Sequence, residues 1–286
     1  MTRQAKPFLL AAALALACAG MARAAAVVAV LSSDSEHYRE AFEGFEAAWG
    51  SSVPFVLAGR ALPPGRFDAI VAFGSRAALE ESPRPEMLVT CLALDALPAG
   101  RGRLLRVELL PPPDLLAARL KQLLPRLKVL RVLWTSDFEE ADVEALSAAA
   151  GKQGFAVLAE RIEDPEDLPA RVRAFADPAD ALWLMPDPAL VNARNFEILH
   201  AYAAAARIPF LAPTEGLAEK GATATLAVPF RDVGRAAAAA LKPVLLGRSA
   251  PGVVHPGGLV VTLNVAAARA IGMDVDAARG VDRRLP

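Results

Sequence analysis

Apolar residues fall along this chain in short blocks, separated by polar stretches that repeat at helical spacing. Ala25 to Leu31 is a Val-rich run, the pattern of a strand buried on both faces. Ser32, Ser33, Asp34, Ser35 and Glu36 follow, and the S-x-x-E spacing of Ser33 and Glu36 predicts a capping box at a helix start. Tyr38, Ala41, Phe42, Phe45 and Trp49 then recur on one helical face, and Val53 to Ala58 and Phe67 to Phe73 read as strands. The same order returns later. Leu130 to Trp134 is an apolar strand, Thr135 and Ser136 end it, and Ser136 with Glu139 repeats the box. A helix is expected through Ala150, stopped at Gly151, then a strand over Phe155 to Ala159 and a helix near Glu166 to Ala176. In both halves an Asp-Ala pair (Asp68-Ala69, Asp180-Ala181) introduces a buried strand that ends in a polar turn.

Strand and helix alternating twice predict an α/β fold of two Rossmann-like lobes with parallel sheets and right-handed crossovers. The first lobe has only Gly59 to Arg66 between its second and third strands, shorter than the roughly 10–12 residues a parallel crossover takes. Beyond the second half, helices are expected over Phe196 to Ala206, Val233 to Leu246 and Val265 to Ile271. Strands are expected over Ile208 to Ala212, Ala222 to Val228 and Leu259 to Leu263. The Pro-rich Leu110 to Asp114 and the Gly/Pro stretch Gly252 to Gly258 read as passages between lobes.

Composition narrows the function. A hydrophobic share of 54% over 286 residues excludes a disordered chain, and 31 Lys plus Arg against 32 Asp plus Glu gives no electrostatic case for nucleic acid. The first 24 residues have the three parts of a secretory leader: Arg3 and Lys6, the apolar run Phe8 to Ala19, and the small-x-small site at Ala22, Arg23 and Ala24. Export with cleavage near Ala24 is expected. Cys18, after Ala15, Leu16 and Ala17, leaves a lipid anchor as the lesser alternative. Without Cys18 the remaining thiol is Cys91, in the apolar run Met87 to Leu94, where a packed, inert role is expected. No other segment is long enough to span a bilayer, so a soluble mature protein is expected.

Neither phosphate-binding glycine motifs nor the G-x-S-x-G elbow occurs. Glu197 and His200 make a single E-x-x-H, which reads as a polar pair on a helix surface. Asp137, Glu139, Glu140 and Asp142 read as acidic residues favoured by a helix dipole. What remains is a set of polar residues where apolar strands end: Ser32, Ser33 and Asp34; Gly74 and Ser75; Thr135 and Ser136; Asp187; Thr214 and Glu215. Ligands of open α/β sheets bind outside such strand ends, next to helix amino termini. Tyr38, Phe73, Trp134 and Phe210 lie beside these turns as candidate apolar walls, with a place in the core as the alternative for each.

From about Val27 to Val275 the chain resembles the type I periplasmic solute-binding proteins of ABC transporters, and among them the subgroup that includes aromatic amino-acid binders. The resemblance rests on Ala69 to Ala78, Asp180 to Asp187, Arg207 to Leu211, Lys220 to Ala222 and Leu259 to Asn264. It implies two lobes joined by three hinge crossings and closing on a small solute. The first lobe is then expected from residues 26–110 and 229–250, the second from 111–228 and 251–286. The implied function is a secreted receptor that delivers its solute to the membrane permease of an ABC importer. No enzyme, no cofactor, no nucleic-acid partner and a monomer are expected. A sensory accessory protein is the alternative, and an exported enzyme a remoter one, with Asp187 and Glu215 as its least poor acid–base pair. The site expectation is a solute whose anionic group meets the turns at Ser33, Ser75 and Ser136. Its ammonium is expected on Asp187 or Glu215, with Trp134, Phe73 and Tyr38 packing an apolar side chain.

Overall fold

The structure is a computed structural model that describes residues 25–80, 86–94, 103–135 and 137–286. The expected leader, Cys18 and Ser136 lie outside the described residues. The first sheet takes its strands from β1 (Val27–Leu31), β2 (Phe55–Leu57), β3 (Ala69–Phe73), β4 (Met87–Cys91) and β5 (Arg103–Val107). The helices of this part are α1 (Glu36–Trp49) and the short α2 (Ser75–Leu79). The second half supplies α3 (Pro113–Leu123), β6 (Val129–Trp134), α4 (Asp137–Lys152), β7 (Ala156–Arg161), α5 (Leu168–Arg173) and β8 (Ala181–Leu184). It continues through α6 (Ala193–Ala206), β9 (Phe210–Ala212), α7 (Gly216–Glu219) and β10 (Ala224–Ala227). The chain ends in α8 (Phe230–Leu245), β11 (Val253–Val254), β12 (Val260–Asn264), α9 (Val265–Ala270) and β13 (Arg283–Leu285).

Among the described residues the strands form two sheets, ordered β11-β5-β4-β3-β1-β2 and β13-β12-β10-β9-β8-β6-β7. The shared order β2-β1-β3-β4 and β7-β6-β8-β9 makes the halves structural repeats. β10 and β12 are antiparallel; the other pairings are parallel. The repeated Asp-Ala pair has a physical reason. Asp68 Oδ2 accepts the Ala26 N–H (2.7 Å) ahead of β1, and Asp180 Oδ2 accepts those of Lys128 and Val129 (both 2.8 Å) at the start of β6. In each lobe the aspartate that opens one strand fixes the register of the strand beside it.

Residues 58–68 carry the chain from β2 across β1 to β3 without a helix. Ala58, Leu62 and Phe67 pack there against Val28, Val30 and Ile70, so loop side chains cover a sheet face that a helix would otherwise cover. On the opposite face α1 and α8 sandwich together through glycines. A Cβ on Gly44 would lie 2.1 Å from the Arg231 carbonyl oxygen, and one on Gly234 1.8 Å from that of Ala41. The interface is then filled by Phe45, Val233, Ala237 and Leu241.

Three passages join the sheets: residues 108–112, 228–229 and 255–259. Because β11 pairs with β5, the first sheet extends past the boundary expected at residue 250. Cys91 is fully buried, and burial pushes its thiol well above the ordinary range, as an inert core residue requires. No helix among the described residues is long and apolar enough to cross a membrane.

Candidate functional site

The carboxyl ends of β1 and β3 meet in one compact arrangement. Ser32 is buried; its N–H donates to the Phe73 carbonyl (2.8 Å) and its Oγ accepts the Ala77 N–H (2.9 Å). Gly74 has φ +93°, and a Cβ there would stand 2.5 Å from both Ser32 Oγ and Tyr38 Oη. The glycine is required twice, by its backbone conformation and by the two hydroxyls pressed on it. Ser32, Tyr38, Gly74 and Ser75 are thus brought together.

The expected capping box does not form. Ser35 precedes α1, without a side-chain cap. Ser33 is exposed with its hydroxyl 3.3 Å from that of Ser35, and Asp34 is exposed and paired with Arg39, which holds its carboxyl below the usual value. The Ser35 hydroxyl lies 3.2 Å from His37 Nε2, a local arrangement that competes with capping. His37 packs against Tyr38 (ring centroids 4.1 Å) and Phe230 (5.7 Å), and burial lowers its pKa, which favours the neutral ring. This half-buried aromatic group at the starts of α1 and α8 was not singled out from the sequence, because His37 and Phe230 lie far apart along the chain.

Phe73, Trp134 and Phe210 are core residues, Phe210 packing against Phe196 (ring centroids 5.2 Å). Phe73 is fully buried, edge-on to Phe42 and Phe45 at 6.1 and 6.3 Å. Trp134 is packed among Leu116, Val143 and Trp183. Asp187 is fully buried and serves the protein itself. Its Oδ2 accepts the Thr135 N–H (2.7 Å) and hydroxyl (2.8 Å), and its Oδ1 accepts the N–H groups of Ala189 (2.8 Å) and Leu190 (3.3 Å). Four donors fill a carboxylate's acceptor sites, leaving none for an ammonium. Thr135 and Asp187 are therefore together, as a clasp between the ends of β6 and β8. Glu215 has both oxygens 2.6 Å from Arg283 Nη1, which ties the β9 exit to β13; its neighbour Thr214 accepts the Leu217 N–H.

A site missed from the sequence lies where the lobes adjoin. Leu94, Arg106 and Glu108 of the first half face Glu139 and Pro186 of the second across a narrow cavity. Arg106 and Glu108 form an ion pair, with side chains only 15% and 13% exposed. Burial raises the Glu108 carboxyl above its ordinary value, against the lowering pull of Arg106. The nearby Leu92 sits at φ +56°, strained for a branched side chain, where β4 gives way to this cavity. The signal available in advance was the charged pair in Arg106-Val107-Glu108, directly before a Pro-rich passage. Among the described residues no group of His, Cys, Asp and Glu is placed to hold a metal. Glu197 makes no such group with His200, whose ring instead stacks on Phe196 (5.9 Å).

The profile of the family described as ABC transporter substrate binding protein matches residues 117–273, more than half of the chain. No curated protein matches it significantly. Among solved structures, the chain resembles an ABC domain from Streptococcus pneumonia in complex with L-Trp (TM-score 0.59, 17% identity, 92% of this chain and 100% of that one). It also resembles a conserved domain protein from Vibrio cholerae (TM-score 0.60, 18% identity, 91% and 99% covered). A third is a ligand-free, open substrate-binding protein with adhesive properties from Clostridium difficile (TM-score 0.59, 18% identity, 90% and 98% covered). At these identities the likeness shows the fold, the type I periplasmic binding architecture of two α/β lobes.

Proposed function

Because the chain belongs to the ABC transporter substrate-binding protein family, we propose that it is an exported receptor that closes its lobes on an amino acid or related zwitterion. The closed form then presents that solute to the permease of an importer. The observation that carries this reading is the convergence of Ser32, Tyr38, Gly74 and Ser75 at adjoining strand ends, beside the aromatic group of His37, Tyr38 and Phe230. Strand-end amides and hydroxyls suit a carboxylate, and the aromatic rings suit an apolar side chain. The cavity between the lobes is lined by Glu108, Glu139 and Arg106, and its carboxylates are groups of the kind that meet an ammonium. These groups replace Asp187 and Glu215 as the partners of the solute's cationic end. The L-Trp in the Streptococcus structure agrees with a zwitterion carrying a large side chain.

Native mass spectrometry of the purified protein identifies a retained solute, and calorimetry against an amino-acid panel gives its affinity. Tyr38→Ala is expected to weaken binding about tenfold, from loss of roughly 1–1.5 kcal/mol of aromatic packing. A retained sugar, or unchanged affinity in the variant, would overturn the proposed solute and wall.

A further inference from the structure

His255 joins three separate pieces of the chain at the hinge. It stands in the last passage, between β11 and β12. Its Nδ1 is 3.3 Å from the Leu110 carbonyl oxygen of the first passage, and its Nε2 is 3.4 Å from Oδ1 of Asp142 on α4. A carbonyl oxygen only accepts, and so does an ionised carboxylate. A neutral imidazole has one N–H, so it satisfies one of these neighbours and turns a lone pair on the other. Both contacts are made only when the pair holds one more proton, as imidazolium against carboxylate or as imidazole against carboxylic acid.

The surroundings favour keeping that proton. The His255 and Asp142 side chains are only 24% and 13% exposed, between Leu110, Pro111, Leu146 and Trp183. The charged groups nearby are Arg106 and Glu108, paired with each other at the end of the first sheet, and Glu139, one turn before Asp142 on α4. Burial raises the Asp142 carboxyl, against the lowering pulls of His255 and Arg106. Its negative charge is therefore costly without a cation beside it.

We propose that His255 and Asp142 form a proton-operated hinge pin. While the pair holds its shared proton, it ties the first and last passages to α4 and fixes the angle between the lobes. When the proton leaves, the neutral ring keeps a single N–H and turns its lone pair on either the Leu110 carbonyl at 3.3 Å or the Asp142 carboxylate at 3.4 Å. One of the two ties is then lost, and the first and last passages are no longer held together with α4. The pinned state binds the proton more tightly than the released state, so pinning is complete at low pH and is lost as pH rises through the pair's titration. Solute affinity would then change with pH even for a solute that does not titrate.

The test uses the full chain without solute, so it is independent of the solute reading above. Imidazole 15N spectra follow the protonation of His255 from about pH 5 to about pH 9, and small-angle X-ray scattering follows the lobes over the same range. In the wild type the scattering profile is expected to change together with His255 titration. In Asp142→Asn the side-chain amide donates to the neutral ring, so the contact needs no extra proton and the low-pH profile should persist throughout. His255→Gln, with no titrating ring, should show no pH-dependent change. A wild-type profile constant through His255 titration, or a change of wild-type size in either variant, would overturn the proposal.

Discussion

At Asp187 a single carboxylate holds two loops. It accepts the Thr135 N–H and hydroxyl at the end of β6 and two N–H groups of the turn after β8. Asn has the same shape but offers one acceptor oxygen, and on either side its amide nitrogen would face at least one backbone N–H that cannot accept. Asp187→Asn is therefore expected to destabilise the protein by about 2 kcal/mol, the cost of leaving buried donors unpaired, read as a lower urea midpoint with an unchanged slope. The sequence places Asp187 at the end of a strand, directly before Pro188, but does not show that its second oxygen reaches back to Thr135, because that contact spans 52 positions. Ser33 shows the converse. Its spacing to Glu36 is that of a capping box, yet the neighbouring Ser35, His37 and Arg39 take up the polar groups of the turn. Motif spacing gives the place of a helix start more securely than the bonds that make it.

α1 and α8 meet closely enough that two of their residues must lack a Cβ. Gly234→Ala would drive a methyl carbon into the Ala41 carbonyl, and neither helix can withdraw without opening the core around Phe45 and Leu241. A loss of about 2–3 kcal/mol is expected by chemical denaturation. Gly151→Ala is the contrasting case. Its Cβ would meet nothing within 4 Å near the end of α4, so a gain of roughly 0.5–1 kcal/mol from helix propensity is expected. Elements were legible where the hydrophobic period is clean: β1, β3, β6 and β8 are nearly continuous apolar runs, as strands covered on both faces must be. β5 was not legible. Arg103 and Arg106 interrupt its pattern because it lies near the sheet edge and borders the hinge cavity, where charged side chains find partners. The same fact hid the cluster of Arg106, Glu108, Asp142 and His255, which assembles only when the first and last passages converge beside α4.

The whole molecule is interwoven rather than assembled from two consecutive pieces. α8 belongs to the first core although it follows β10 of the second sheet, and β12 returns to pair with β10 after β11 has joined β5. A chain stopped after Val228 therefore lacks part of both lobes. The first loses Val233, Ala237, Ala238, Leu241 and Val244 from its core, and the apolar side chains of α1 and β4 that they cover would face water. Burying each such valine or leucine contributes roughly 1.5–3 kcal/mol, so their joint loss is comparable with the whole stability of a domain, about 5–15 kcal/mol. The second lobe loses Val261 and Leu263 from its core together with β13, leaving the β10 edge unpaired. A fragment of residues 25–228 is accordingly expected to lack protected amides in both β1 and β6 by hydrogen exchange, while the same chain extended to Pro286 protects both. Protection of the second sheet in the fragment would mean that this lobe folds without its returning strands, and the two lobes would then be independent in folding although shared in sequence.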